Sequence, residues 1–176
     1  MSDVMSDETT SSGHAPRKIF DESGNTVEII LDYEDYCVLL RKLAQETDWS
    51  TLPRHLQDLV DGMLMDESAA ETGDVVPLTD IVQDTTEPSG VSYSVRLRAA
   101  AVRDLRRLPR SRCDRIHRQL VRLETDPRPA GIQKLVGRVD SWRIRSGDYR
   151  ILLEIDDSAR TITVFRIAHR REVYRA

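Results

Sequence analysis

From Tyr149 to Ile155 every second side chain is apolar: Tyr149, Ile151, Leu153 and Ile155, with Arg150, Leu152 and Glu154 between them. That alternation predicts a strand over 149–156 with one face in a core. Strands are expected over 139–145 and 160–168 as well, with turns at Ser146-Gly-Asp and Asp156-Asp-Ser-Ala. Upstream the period lengthens. Val102, Leu105 and Leu108 mark a helix over about 98–108 that Pro109 stops, and Cys113, Ile116, Leu120 and Leu123 mark another over 111–124. A strand around Tyr93–Leu97 completes a β-α-α-β-β-β order. The fold class expected is α+β, two antiparallel helices packed on one face of a mainly antiparallel sheet.

The N-terminal part is patterned differently. Residues 1–16 are polar and acidic and are read as a disordered tail. Lys18–Phe20 and Thr26–Leu31 flank a Gly24-Asn25 turn, which predicts a small hairpin. Asp32 opens a helix whose apolar face is expected at Tyr36, Leu39, Leu40 and Leu43. Pro53 opens another, with Leu56, Leu59, Val60 and Met63 at helical spacing. An acidic, small-residue stretch (DESAAETGD) then leads to 75–82, and QDTTEPSG at 83–90 has linker composition. The organisation expected is a tail (1–16), an acidic segment (17–82), a linker (83–90) and a basic domain (91–176).

Charge sharpens that division. The formal net charge is only −4, yet residues 1–90 hold 20 acids against 5 basic groups, net −15, and residues 91–176 hold 21 basic groups against 10 acids, net +11. Opposite halves suggest that one binds a polyanion and the other occupies that surface. No apolar run is long enough for a membrane span, and the N-terminus lacks the apolar core of a signal peptide, so a cytoplasmic location is expected. Cys37 and Cys113 have no metal-type spacing and read as isolated thiols. No metal and no cofactor are expected.

Parity places Arg143, Arg145 and Arg150 together on the face opposite the helices, which is expected to be uncovered. Arg170 and Tyr174 lie just beyond the last strand. Arginine donates hydrogen bonds in pairs to phosphate oxygens and keeps its charge at any relevant pH. A solvated Arg-rich face would show the same count, but clustering beside a tyrosine, with a large acidic segment in the same chain, favours nucleic-acid contact. His169 titrates in a useful range, yet its parity with Phe165 and Ile167 favours packing, with at most a minor role at the site. His117 reads as a surface residue.

YSVRLRAAAVRDLRRLP, LVGRVDSWRIRSGDYRILLEID and ITVFRIAHRREVYR together resemble the RelE family of bacterial type II toxins over nearly all of 91–176. The resemblance implies a metal-independent endoribonuclease, an mRNA interferase that inhibits translation by cutting messenger RNA, on the ribosome or free of it. Arg143 and Arg145 fall where the archetypal member has two lysines, Arg150 matches the arginine of Gly-x-Tyr-Arg, and Arg170 and Tyr174 match the C-terminal arginine and tyrosine. Arg150, Arg170 and Tyr174 are thus the expected catalytic residues. Arg143, Arg145, Arg171, Lys134 and Arg138 are the expected RNA contacts. Arginine at 143 and 145 cannot act as a general base. ParE-type gyrase inhibition, or a non-catalytic RNA- or ribosome-binding module, is the alternative.

KIFDESGNTVEIILDYEDYCVLLRKL more loosely resembles the hairpin-plus-helix of Phd/RelB-type antitoxins over about 17–46. This implies a toxin–antitoxin fusion in which Leu39, Leu43, Leu56, Leu59, Val60 and Met63, with neighbouring acids, cover the basic domain, within one chain or between two. Only about sixteen residues precede the hairpin, so operator DNA binding is not expected.

Overall fold

The computed structural model describes residues 15–81 and 92–169, which fall into two compact units, one up to Lys42 and one from Leu43 onward. The linker expected at 83–90 lies outside the described residues. In the first unit, β1 (Arg17–Phe20) pairs antiparallel with β2 (Thr26–Ile30). Gly24 takes φ +82° in the turn, where the Asp21 carboxylate accepts the backbone N–H groups of Ser23 and Asn25. Helix α1 (Tyr33–Glu46) starts in this unit and ends in the second. Its buried residues are Cys37 and Leu40, while Leu39 is 54% exposed. Of the expected stripe, Leu40 is buried and Tyr36 and Leu43 are half-buried, but Leu39 is corrected to an outward position, with Cys37 inward on the neighbouring row.

The second unit holds α2 (Arg54–Ala70), β3 (Val76–Pro77), α3 (Leu78–Ile81), β4 (Ser94–Leu97), α4 (Ala99–Arg106), α5 (Arg110–Thr125), β5 (Gln133–Lys134), β6 (Ser141–Ser146), β7 (Tyr149–Asp156) and β8 (Thr161–His169). The six strands lie in the order β3-β4-β8-β7-β6-β5, antiparallel except for the β4–β8 pair. The mixed α+β class is as the sequence predicts. Val102 and Leu105 of α4 and Ile116, Leu120 and Leu123 of α5 pack on one sheet face, against Ile144, Ile151, Leu153, Ile155, Ile162, Val164 and Ile167.

The opposite face is not open. Leu64 and Met65 of α2 form a second core there with Leu135, Leu152 and Phe165. Helix α2 runs through the DESAA stretch to Ala70, longer than the apolar spacing ending at Met63 indicates. Leu56 is half-buried and Leu59 is 40% exposed, whereas Val60 and Met63 are buried. The expected Leu56–Leu59 ridge is corrected: the inward residues include Gln57, Asp58, Asp61 and Ser68, polar groups that reach partners. Leu43 is half-buried.

A bulge in β8 explains one further correction. Leu152 pairs with Arg166 but Leu153 pairs with Val164, so Phe165 is the extra residue and turns to the α2 side. Phe165 therefore does not share a face with Ile167, and His169 instead packs edge-on against Tyr149 at 4.9 Å.

Candidate functional site

The turn between β6 and β7 puts Gly147 at φ +63°, its Asp148 neighbour at negative φ, and Ser146 opposite Tyr149. This is the arrangement of a two-residue type II′ hairpin turn, and it fixes the register. Arg145 then faces Arg150 and Arg143 faces Leu152, so all four lie on one face. Parity predicted that grouping. The expectation that the face is uncovered is overturned: Arg143 and Arg150 are only 1% and 2% exposed.

Helix α2 seals them. Arg143 Nη1 donates to Asp61 Oδ2 at 2.8 Å, its Nη2 lies 3.2 Å from Asp58 Oδ1, and Nη2 also donates to Gln133 Oε1 at 3.0 Å. Arg150 Nε is 2.7 Å from Asp61 Oδ1, which leaves Asp61 bridging two guanidiniums. The Arg150 guanidinium also lies over the Trp49 ring, 3.6 Å from its centre. Gln57 ties down the backbone on either side of the 49–52 turn, donating to the carbonyls of Trp49 and Leu52. Burial lifts the Asp61 carboxyl above its ordinary range while Arg150 and Arg143 pull it down. Four desolvated charges of zero net sum hold only because each is paired; leaving one alone is strongly destabilising.

The rest of α2 is fastened by the same chemistry. Arg138 pairs with Asp66 and donates to the Gly62 carbonyl at 3.1 Å, passing so close that a methyl group at Gly62 would sit 3.1 Å from its Nε. At the C-terminal end Arg98 donates to the carbonyls of Ser68 and Ala69, acceptors that a helix end leaves unpaired. Arg103 pairs with Glu71 at 2.5 Å, and Ser68 Oγ donates to the Phe165 carbonyl. Arg166 is an internal tie: it and the Ile167 N–H both donate to Asp104.

The other expected site residues separate. Lys134 is exposed and sits 5.6 Å over the Trp142 ring, which Arg128 also faces at 5.2 Å. Arg145 is exposed, unlike the sealed pair beside it. It lines a cleft of about 580 Å³ with Arg115, Arg118, Gln119 and Arg122 of α5 and the Pro129–Ala130 loop. These α5 arginines were not singled out in the sequence, although their spacings of three and four put them on one helix face. Arg170, Arg171 and Tyr174 lie outside the described residues.

The family described as the ParE toxin of the type II toxin–antitoxin system parDE matches residues 95–174. The chain is 33% identical over 88 residues to Toxin RelG of Mycobacterium tuberculosis, a match spanning 47% of this chain and 97% of that protein. The chain belongs to the RelE/ParE toxin family. Among solved structures, the RelBE2 toxin–antitoxin complex of M. tuberculosis is 32% identical, covering 45% of this chain and 99% of that one at a TM-score of 0.37. The RelE–RelB complex of Pyrococcus horikoshii is 27% identical, covering 46% and 97% at a TM-score of 0.42. The protein is thus a RelE/ParE-family toxin of the type II toxin–antitoxin class, and α2 lies outside the family match.

Proposed function

We propose that the family domain is a RelE-type endoribonuclease and that α2 acts as a built-in antitoxin, holding it inactive in the intact chain. The observation that carries this reading is the Asp61 carboxylate set between Arg143 and Arg150, with Asp58 beside it. Carboxylate oxygens there stand where the non-bridging oxygens of a phosphodiester would lie. Once α2 leaves, the same guanidiniums face an open site.

In the reaction proposed, a ribose 2′-hydroxyl attacks the adjacent phosphate. The P–O5′ bond breaks, leaving a 2′,3′-cyclic phosphate and a 5′-hydroxyl. Charge builds on the non-bridging oxygens, and preorganised Arg150, with Arg170, stabilises it. Arg143 and Arg145 position the strand. Tyr174 exchanges the proton with the 2′-hydroxyl or the leaving oxygen, or stacks on a base. The substrate proposed is messenger RNA, on the ribosome or free, in the cytoplasm.

The test uses the full chain. Asp58→Ala/Asp61→Ala should cut RNA, with cyclic phosphate ends mapped on the products, while the unaltered chain should not. Adding Arg150→Ala should remove the cleavage. A ParE-type reading is favoured by the description of the matching family. Growth arrest by the released chain with intact RNA and trapped gyrase would establish that reading instead.

A further inference from the structure

Helix α5 carries a second arginine cluster that α2 does not seal. Arg115, Arg118 and Arg122 converge with Arg145 of β6 on the 580 Å³ cleft, and among the described residues no carboxylate lines it. Arg122 has a loose tie to Asp126 at 3.8 Å, with both side chains exposed. Gln119 donates to the Arg145 carbonyl at 3.4 Å, joining the helix to the strand. Four like charges held around one hollow repel one another, an arrangement suited to a visiting polyanion.

The cleft shares one wall residue, Arg145, with the surroundings of the sealed site. Arg145 lines both this cleft and a small pocket of about 70 Å³ whose other walls include Trp49, Arg143, Gly147 and Arg150. Gly147 lies beside α5: a methyl group there would meet Arg115 Nη1 at 3.5 Å, an ordinary contact.

The geometry points to this cleft as a docking groove for the backbone of single-stranded RNA, available while the Arg143–Arg150 site is closed. Guanidiniums pair with phosphates there, and their planes stack on splayed bases. The intact, sealed chain therefore binds RNA without cutting it, and the groove delivers the strand past Arg145 towards the scissile position. The inference rests on the ribonuclease reading only for the choice of RNA as ligand.

The test measures fluorescence anisotropy of a labelled single-stranded oligoribonucleotide with the full chain, from 50 to 300 mM salt. With four arginines engaged, log K should fall against log salt with a slope of about −3. Arg115→Gln/Arg118→Gln/Arg122→Gln should weaken binding at least tenfold and flatten that slope. Arg96→Gln/Arg106→Gln/Arg107→Gln, which removes equal charge from exposed positions elsewhere, should change it less than threefold. Equal loss in the two triple variants, no binding at 50 mM salt, or tighter binding of duplex DNA than of RNA would each overturn the groove. Cleavage plays no part in the readout, so failure of the ribonuclease reading would leave this result standing.

Discussion

The buried carboxylate of Asp61 has more to lose than any surface charge. It touches Arg143 at 2.8 Å and Arg150 at 2.7 Å, and its side chain is fully buried. Asp61→Ala leaves two desolvated guanidiniums with Asp58 alone, so it should cost about 3–5 kcal/mol in chemical denaturation. Asp157 offers the contrasting exposed case. Hydrogen bonds from Arg128 and Tyr93 hold its carboxyl down to about 2. A depressed carboxyl contributes stability above its ordinary range near pH 4 and loses it as pH falls through about 2. Carboxyl NMR should therefore find its midpoint near 2, and Arg128→Gln should move that midpoint upward.

Helix α2 combines an apolar anchor with polar fastenings, which is why spacing alone read it incompletely. Leu56, Leu59, Val60 and Met63 form a plausible amphipathic stripe, but the sheet it meets presents Arg143 and Arg150, so Asp58 and Asp61 turn inward beside Leu64 and Met65. An inward acid is invisible to a hydrophobic pattern, because its partner lies some eighty residues away. Strands β6 and β7, by contrast, were legible from alternation, since one face meets α4 and α5 and the turn residues fix the register. The bulge at Phe165 was not, for a single added residue leaves composition unchanged while reversing parity. Leu64→Ala should cost about 2–5 kcal/mol through the void it leaves. Hydrogen exchange should then accelerate in α2 more than in α5.

At the scale of the whole molecule, the charge imbalance between the halves is expressed in ion pairs that α2 and its C-terminal cap make with the basic half. Asp58, Asp61, Asp66 and Glu71 make the described ion pairs that bring acids of the N-terminal half onto the basic half. The two at the sealed site are buried, and buried pairs are screened far less by salt than exposed ones. Raising sodium chloride from 0.1 to 1 M should therefore leave α2 in place, with no red shift of tryptophan emission, whereas Asp58→Ala/Asp61→Ala should produce that shift at either concentration. The placement of Trp49, buried against the Arg150 guanidinium while Trp142 stands half-buried on the sheet, thus equips the chain with a native optical gauge. Its colour reports whether the latch is shut, with no dye attached.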